Sequence, residues 1–243
     1  MINKEEFHSL YNQIFKANQL DKFCEPNIVE KMLSMSEYML EVNQSMNLTA
    51  ITDTPSVIAK HLADSAIAAR YIPQGARVCD VGCGGGFPSL PLAIIRPDIT
   101  VLGIDSTEKR INYVNDSAKR LGLGNLTAIA GRAEDLSRTK LRESFDVCIA
   151  RAVANLPVLS EFCIPFVKVG GSFIAMKGKL GDEELTQASV KLGGEPISSE
   201  SVIRYQLRTL DIPEERCMAI SKKISPTDAK YPRNYSQIKK KPL

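Results

Sequence analysis

The sequence predicts an α/β protein in which a mostly parallel sheet follows a helical extension, and two observations support this fold. Apolar residues recur at helical spacing in three early runs, 5–20, 27–43 and 54–72. From residue 76, short apolar runs that end in a polar residue or a glycine alternate with helical patterns. Such alternation is typical of right-handed crossovers between parallel strands that are buried on both faces. We therefore expect a helical extension at 1–70 and an α/β domain at 71–243.

The pattern predicts strands and helices at defined places along the α/β domain. The predicted strands are 77–82, 99–105, 126–131, 145–150, 171–177, 200–210 and 216–224. The predicted helices are 87–95, 107–121, 133–139, 154–167 and 181–192. Only a short segment separates the last two strands, so we expect them to pair antiparallel. In the extension, Thr54 is predicted to cap the third helix and Pro55 to occupy its first turn.

Composition narrows the possible classes of protein. The 243 residues carry a net charge of only +3, so any nucleic-acid surface must be a local patch. The first residues lack a basic region followed by an apolar core, and no stretch approaches a membrane span of roughly 18 apolar residues. We expect a cytoplasmic protein without a membrane contact. Six scattered cysteines and two histidines favour buried thiols over a metal site.

A glycine-rich loop follows the first predicted strand, in the stretch VCDVGCGGGF at 78–87. Ligands of an open parallel sheet bind beyond the carboxyl ends of its strands, where glycine lets them approach the backbone. The spacing is G-x-G-x-G, whereas a dinucleotide site requires G-x-G-x-x-G and would place its third glycine at Phe87. Asp80 is unfavourable beside a pyrophosphate but favourable beside a cation. The loop therefore favours S-adenosylmethionine, which carries a sulfonium, over NAD.

Two further acidic positions support an adenosine ligand. Asp105 ends the second predicted strand, 23 residues after Gly82, where a carboxylate can accept both ribose hydroxyls. This position suits NAD equally well, so it indicates adenosine without choosing the cofactor. The segment GRAED follows the third strand, and backbone groups near Ala133 and Glu134 can contact the edge of an adenine.

Several segments together resemble one known family. They are MNLTAI, KHLADS, DVGCGGGFPSLPLAI, IDSTEKR, GRAED, IARAVA, MKGK and KYPRNYSQIKKKPL, in this order from about residue 40 to the C-terminus. This set closely resembles the glucose-inhibited division protein B family of ribosomal RNA methyltransferases. One departure is Ser89, where the family often has glycine.

The resemblance implies a fold, an activity and a set of site residues. The fold is the Rossmann-like class I S-adenosylmethionine-dependent methyltransferase fold, a seven-stranded, mostly parallel sheet with its last strand antiparallel. The activity is methylation of N7 of one guanine in 16S ribosomal RNA, in the bacterial cytoplasm. The implied cofactor contacts are Gly82, Phe87, Asp105, Ser106, Thr107, Ala133, Glu134 and Arg151.

The residues are compatible with methylation at guanine N7. N7 carries a lone pair and no proton, so no general base is required and we assign no catalytic residue. Methylation of pyrimidine C5 needs a cysteine nucleophile, and Cys148 is predicted to lie in the core of the fourth strand. Exocyclic amines often use a D/N-P-P-Y/F loop, but ARAVANLP follows that strand. His61 and Asp64 lie three residues apart on the third predicted helix, and we interpret their role as structural or as facing the RNA.

The C-terminal tail suggests an RNA partner. Residues 221–243 contain seven lysines and arginines and one acid, Asp228, which favours phosphate binding, and Tyr231 and Tyr235 offer stacking planes. The predicted RNA contacts are Lys109, Arg110, Arg132, Lys177, Arg233, Lys239, Lys240 and Lys241. We expect a monomer that acts on 16S ribosomal RNA or on a small-subunit particle. A small-molecule methyltransferase and a non-catalytic, nucleotide-sensing RNA-binding protein remain the alternatives.

Overall fold

The computed structural model describes residues 2–151, 153–180, 185 and 187–243. The helices are α1 (Lys4–Ala17), α2 (Pro26–Met46), α3 (Thr54–Ser56), α4 (Asp64–Ala68), α5 (Ser89–Ile95), α6 (Glu108–Arg120), α7 (Ala133–Leu136), α8 (Leu156–Cys163), α9 (Ala188–Lys191) and α10 (Tyr235–Lys240). A π-helical stretch, Val57–Ala63, joins α3 to α4. The strands are β1 (Arg77–Val81), β2 (Thr100–Asp105), β3 (Leu126–Ala130), β4 (Phe145–Arg151), β5 (Val167–Lys177), β6 (Val202–Leu207) and β7 (Glu214–Lys222).

The described strands form one seven-stranded sheet in the order β3-β2-β1-β4-β5-β7-β6. Strands β1 to β5 pair in parallel, whereas β7 runs antiparallel to both β5 and β6. The predicted fold and the antiparallel pairing of the last two strands are thus confirmed. The chain leaves β1 toward β2 and β3 and then returns to the other side of β1 with β4. This reversal creates a crevice at the carboxyl ends of β1 and β4, where open α/β sheets bind their ligands.

The N-terminal helices pack on one face of the sheet. Phe7 and Tyr11 of α1 and Met32 of α2 are fully buried, in the same apolar cluster as Val78 of β1 and Met218 of β7. A second apolar cluster covers the opposite face with side chains from α8, β4 and β5. Burial on both faces explains why the parallel strands are continuous apolar runs instead of alternating ones.

Several predicted element boundaries differ from the structure. The cap of α3 is Asp53, whose Oδ1 accepts the Ser56 N–H at 2.9 Å, so the prediction of Thr54 was wrong. Helix α8 ends at Cys163, and a 3₁₀ turn that contains Pro165 leads into β5, which begins four residues before the predicted strand. Helix α7 is one turn long. Of the helix predicted at 181–192, residues 181–184 and 186 lie outside the described residues.

Five of the six cysteines are buried, and Cys148 lies fully buried in β4, in the core as predicted. Within the described part of the chain, none of the helices has the length and apolar character that crossing a membrane requires.

Candidate functional site

A cavity of about 340 Å³ opens beyond the carboxyl ends of β1, β2, β3 and β4; we call it the switch-point cavity. Five of the predicted cofactor residues line it, namely Gly82, Asp105, Ser106, Ala133 and Glu134. They come from three segments, at the carboxyl ends of β1, β2 and β3, which the parallel sheet brings to one edge. Phe87, Thr107 and Arg151 do not belong to its lining.

Gly82, the first glycine of the loop, lines the switch-point cavity with bare backbone. Gly82, Gly84 and Gly86 have φ angles of +76°, +53° and +84°, a region that side chains rarely adopt. A Cβ atom on Gly82 would lie 2.5 Å from Cγ2 of Val153, another lining residue. Glycine at 82 is therefore required both by the backbone angle and by the close approach of Val153.

Asp105 is held at the rim of this loop by two backbone groups. Its Oδ2 accepts the Gly84 N–H at 3.1 Å, and its Oδ1 accepts the Thr107 N–H at 2.8 Å. Arg110 Nη1 lies 3.7 Å from Oδ2. Each carboxylate oxygen keeps a second lone pair, so Asp105 can still accept two ribose hydroxyls. The backbone of Thr107 thus orients Asp105 from outside the cavity.

Glu134 presents to the same cavity a carboxylate oxygen that accepts no hydrogen bond from the described part of the chain. The residue is 4% exposed, and its Oε1 has no hydrogen-bond partner among the described residues. Burial raises the pKa of its carboxyl group, while Arg132, whose Nη1 lies 3.9 Å away, opposes the rise. A buried acceptor without a donor is costly. A ligand N–H group, such as the exocyclic amine of adenine, would satisfy it.

Asp80 places a buried carboxyl group two residues before Gly82. Its Oδ2 accepts both the hydroxyl and the backbone N–H of Ser89. Its Oδ1 is without a partner in the described structure. Burial raises the pKa of Asp80 to about 6, although Ser89 and Arg151 act against the shift. Ser89, the departure from the family pattern, therefore supports the acidic residue behind the loop.

These features fit S-adenosylmethionine. The bare backbone admits a ligand at close range, Asp105 suits the ribose, and the unpaired Glu134 oxygen suits an adenine amine. Asp80 supplies negative charge near the loop for a sulfonium or an ammonium group. An anionic pyrophosphate would gain nothing from these three carboxyl groups, although the lining also contains the cations Arg110, Arg132 and Lys239.

A second cavity, of about 300 Å³, adjoins the first, and Ala154 lines both. We call it the His61 cavity. Its charged or titratable lining residues are Lys60, His61, Asp64, Arg151, Lys177 and Arg216. Four of these side chains are cationic and one is a carboxylate, and Lys60 and Arg216 also pair with Glu214 at 2.7 and 2.6 Å. Positive charge still exceeds negative charge here, so the cavity favours an electron-rich or anionic group.

Both ring nitrogens of His61 are engaged. Nδ1 lies 3.3 Å from Arg151 Nη2, and Nε2 lies 2.8 Å from Thr49 Oγ1. Burial and the positive charge of Arg151 lower the pKa of His61 to about 3. The imidazole is therefore neutral at physiological pH. A guanidinium only donates, so Nδ1 accepts and Nε2 carries the proton toward Thr49. This arrangement makes His61 a support for Arg151 and leaves no ring nitrogen to act as a base.

Arg151 is fixed from several sides at the end of β4. Its Nη1 donates to the Lys60 carbonyl at 2.9 Å and lies 3.5 Å from Asp64 Oδ2. Its guanidinium also lies 5.3 Å from the ring centroid of Phe87, on which His61 stacks at 4.3 Å. Phe87 and Arg151, both predicted to contact the cofactor, are thus packed together beside the His61 cavity.

The predicted RNA contacts fall into separate groups. Arg110, Arg132 and Lys239 line the switch-point cavity, and Lys177 lines the His61 cavity. Lys109, Lys240 and Lys241 are exposed. Arg233 has a structural contact, because its guanidinium pairs with the fully buried carboxylate of Glu161. The structure thus gives Arg233 a part in anchoring the tail.

Sequence reasoning missed several lining residues. Arg216 lies far from the glycine loop in sequence and is a single cation without a motif, whereas Lys60 belongs to the segment KHLADS but was given no role. Tyr235 was interpreted as a base-stacking residue, yet it lines the switch-point cavity with Phe162. The available signals were the segment KHLADS for Lys60 and, for Arg216, its place at the start of a predicted strand.

Comparisons with known proteins identify relatives of this chain. The family model described as GidB, rRNA small subunit methyltransferase G, matches residues 28–209. A ribosomal RNA small subunit methyltransferase G from Lactobacillus delbrueckii subsp. bulgaricus is 42% identical over 216 residues, 84% of this chain and 87% of that protein. A protein of the same name from Clostridium novyi is 36% identical over 249 aligned positions that span 100% of both chains.

Solved structures confirm the fold. An O-methyltransferase from Bacillus cereus in complex with SAH aligns with a TM-score of 0.53 and 20% identity, over 78% of this chain and 91% of that one. M. jannaschii TYW2 in complex with AdoMet aligns with a TM-score of 0.52 and 18% identity, over 66% and 75% of the two chains. With the family match over most of its length, this chain belongs to the rRNA small subunit methyltransferase G family, whose members are S-adenosylmethionine-dependent enzymes.

Proposed function

We propose that this protein transfers a methyl group from S-adenosylmethionine to N7 of one guanine in 16S ribosomal RNA. The observation that carries the proposal is the meeting of two different cavities at Ala154. The switch-point cavity suits an adenosine that carries a cationic group. The His61 cavity is cationic, and both ring nitrogens of its histidine are engaged. Guanine N7 is an acceptor that such a site can methylate, because it offers a lone pair without a proton to remove.

The protein contributes positioning and electrostatics. Bound S-adenosylmethionine supplies an electrophilic methyl group on its sulfonium. The glycine loop and Asp105 hold the nucleoside, and Asp80 contributes negative charge near the loop. Fixing two reactants in line can lower a barrier by about 7–11 kcal/mol through effective concentration alone. Positioning and electrostatics of this kind are sufficient for a methyl acceptor that has no proton to remove.

The cations of the His61 cavity would orient the guanine. N7 must remain free to attack, so a cation should bind O6 or a neighbouring phosphate. Arg151 is fixed for this task by His61 and by the Lys60 carbonyl, and Lys177 lies in the same lining. The deep major groove of an RNA helix hides N7 from side chains. The target guanine would therefore enter the cavity from an unpaired segment.

The remaining assignments concern the RNA contacts, the domain bounds, the oligomeric state and the location of the protein. Lys109, Lys240 and Lys241 are exposed cations suited to phosphates of the RNA. We place the helical extension at 1–70 and the methyltransferase domain at 71–243. Since both cavities are built by a single chain, the protein would act as a monomer. Free RNA or a ribosomal particle as the substrate supports a cytoplasmic location.

The decisive experiment is mass mapping of modified nucleosides in ribosomal RNA from cells with and without this protein. We expect one 7-methylguanosine in 16S RNA to be lost with the protein and restored by adding it back with S-adenosylmethionine. Methylation at another atom of the base would contradict the N7 assignment. Methyl transfer to small metabolites but not to RNA would favour a small-molecule enzyme, and absence of donor binding would favour a non-catalytic RNA-binding protein.

A further inference from the structure

We infer that the C-terminal helix α10 completes the methyl-donor site, with Tyr235 and Lys239 as donor-binding residues. This inference rests on the proposed function only in that the switch-point cavity receives the donor. The tail was expected to contact RNA, and a solvated basic arm would lie away from the cavity. Instead, Tyr235 and Lys239 line it beside Arg132 and Glu134.

Tyr235 belongs to a stack of flat groups at the wall of the cavity. Its ring is nearly parallel to that of Phe162, with an interplanar angle of 5° and 6.2 Å between the centroids. The Arg132 guanidinium carbon lies 4.7 Å from the Tyr235 centroid. Arg132 and Phe162 line the same cavity, next to Ala133 and Glu134 at the start of α7. A purine is bound well by such planar aromatic and guanidinium surfaces.

The tail is held against the cavity by specific contacts. The Arg233 guanidinium pairs with Glu161 through two contacts, Nε to Oε1 at 2.9 Å and Nη2 to Oε2 at 2.6 Å, and Glu161 is fully buried. Ile238 of α10 is also fully buried. Glu161 precedes Phe162 in α8, so one helix both anchors the tail and supplies its stacking partner. The position of Tyr235 is therefore built into the fold.

Three successive lysines at the end of the chain have different surroundings. All three are exposed, but Lys239 lines the switch-point cavity, whereas Lys240 and Lys241 belong to a depression on the outside of the tail. Only the first should influence the donor. Its neighbours provide a matched control, because they have the same chemistry at the end of the same short helix, Lys240 as its last residue and Lys241 as its C-cap.

Isothermal titration of the purified full-length protein with S-adenosylhomocysteine, without RNA, tests this inference. We expect Tyr235→Ala to weaken binding about tenfold, in line with the loss of one stacking contact. Tyr235→Phe should bind within about twofold of the wild type because it keeps the stacked ring. Lys239→Ala should weaken binding by about threefold, because an ionic contact of an exposed side chain contributes little to affinity. The double variant Lys240→Ala/Lys241→Ala should bind S-adenosylhomocysteine with the affinity of the wild type.

Two results would overturn the inference. One is an unchanged affinity in Tyr235→Ala, and the other is an equal loss in Lys239→Ala and in the Lys240/Lys241 control. Thermal melting of each variant checks the fold, and Tyr235 is 42% exposed, so its truncation leaves no internal cavity. If the wild type itself fails to bind S-adenosylhomocysteine, the proposed function fails. Wild-type binding with no effect of Tyr235→Ala overturns only the role of the tail.

Discussion

The guanidinium of Arg151 lies 3.3 Å from Nδ1 of His61 and determines the tautomer of that imidazole. Because the guanidinium can only donate, the ring proton is on Nε2 and is directed to Thr49. The histidine of the site therefore holds an arginine instead of moving a proton. This relationship separates the site from methyltransferases that must deprotonate their acceptor.

His61→Gln tests the positioning role of the imidazole. We expect the rate of methyl transfer to fall about tenfold, because Arg151 loses a support and small misplacements are costly. The pH profile between 6 and 8 should keep the wild-type shape, since the pKa of His61 is about 3 and the group does not titrate in this range. Loss of a pH-dependent limb in the variant would instead identify His61 as an acid or base.

Asp80→Asn tests the buried carboxyl group behind the glycine loop. The pKa of Asp80 is raised from 3.8 to about 6, mainly by burial, so the folded protein binds this proton more tightly than the unfolded chain. Its contribution to stability is therefore present at low pH and declines as pH rises through this window. Relative to the wild type, the variant should gain up to about 3 kcal/mol in free energy of unfolding between pH 3 and pH 7. Urea denaturation of both proteins without donor measures the difference, and a constant difference would refute the shift.

Asp105→Ala should weaken donor binding by about tenfold to a hundredfold, the usual range for a hydrogen bond to a charged group. The Gly84 and Thr107 N–H groups position this carboxylate, and the alanine variant would leave the ribose hydroxyls without their acceptor. Asp116, an exposed carboxylate on α6, supplies the control, and Asp116→Ala should leave affinity unchanged. Titration with S-adenosylhomocysteine measures both. Equal affinities in the two variants would remove Asp105 from the site.

Gly82→Ala should reduce both stability and donor binding. The φ angle of +76° costs roughly 1–2 kcal/mol for a residue with a side chain, and the new Cβ would also meet Val153. Gly122→Ala is the matched control, because Gly122 has a φ of +65° but no atom within 4 Å of its added Cβ. We expect a similar backbone cost there without a change in donor affinity. A normal titration of Gly82→Ala would show that the loop tolerates a side chain beside the ligand.

Arg233→Ala should lower the free energy of unfolding by about 3 kcal/mol, because it leaves the buried Glu161 carboxylate without its guanidinium partner. Adding Glu161→Gln should recover part of the loss, since a neutral amide is less costly to bury than a charge. Urea denaturation measures the three proteins, and limited trypsin digestion should cut the tail faster in Arg233→Ala. Unchanged stability in the single variant would mean that the tail is not anchored by this pair.

Much of the fold was predictable because its signals are local. Alternating apolar runs and helical patterns identified every strand of the sheet, and the parallel β1 to β5 ladder matches them. Gly82, Asp105, Ala133 and Glu134 were found for the same reason, since they follow strand ends that meet at one edge. Boundaries were less accurate where a proline or a cap one residue away decided the end of a helix, as at Asp53 and Pro165.

By itself, the sequence determined the order of the elements, the glycine spacing and the acidic residues that follow the strands, because each depends on neighbouring residues. The tertiary structure alone decided which distant side chains meet. His61 and Arg151 are 90 residues apart, and Arg233 and Glu161 are 72 apart, yet each pair is in contact. The order of strands in the sheet and the packing of α8 create these contacts. The physical reason is that a local pattern specifies a strand or a helix, whereas the partner of a charge or an aromatic ring depends on how all the elements pack.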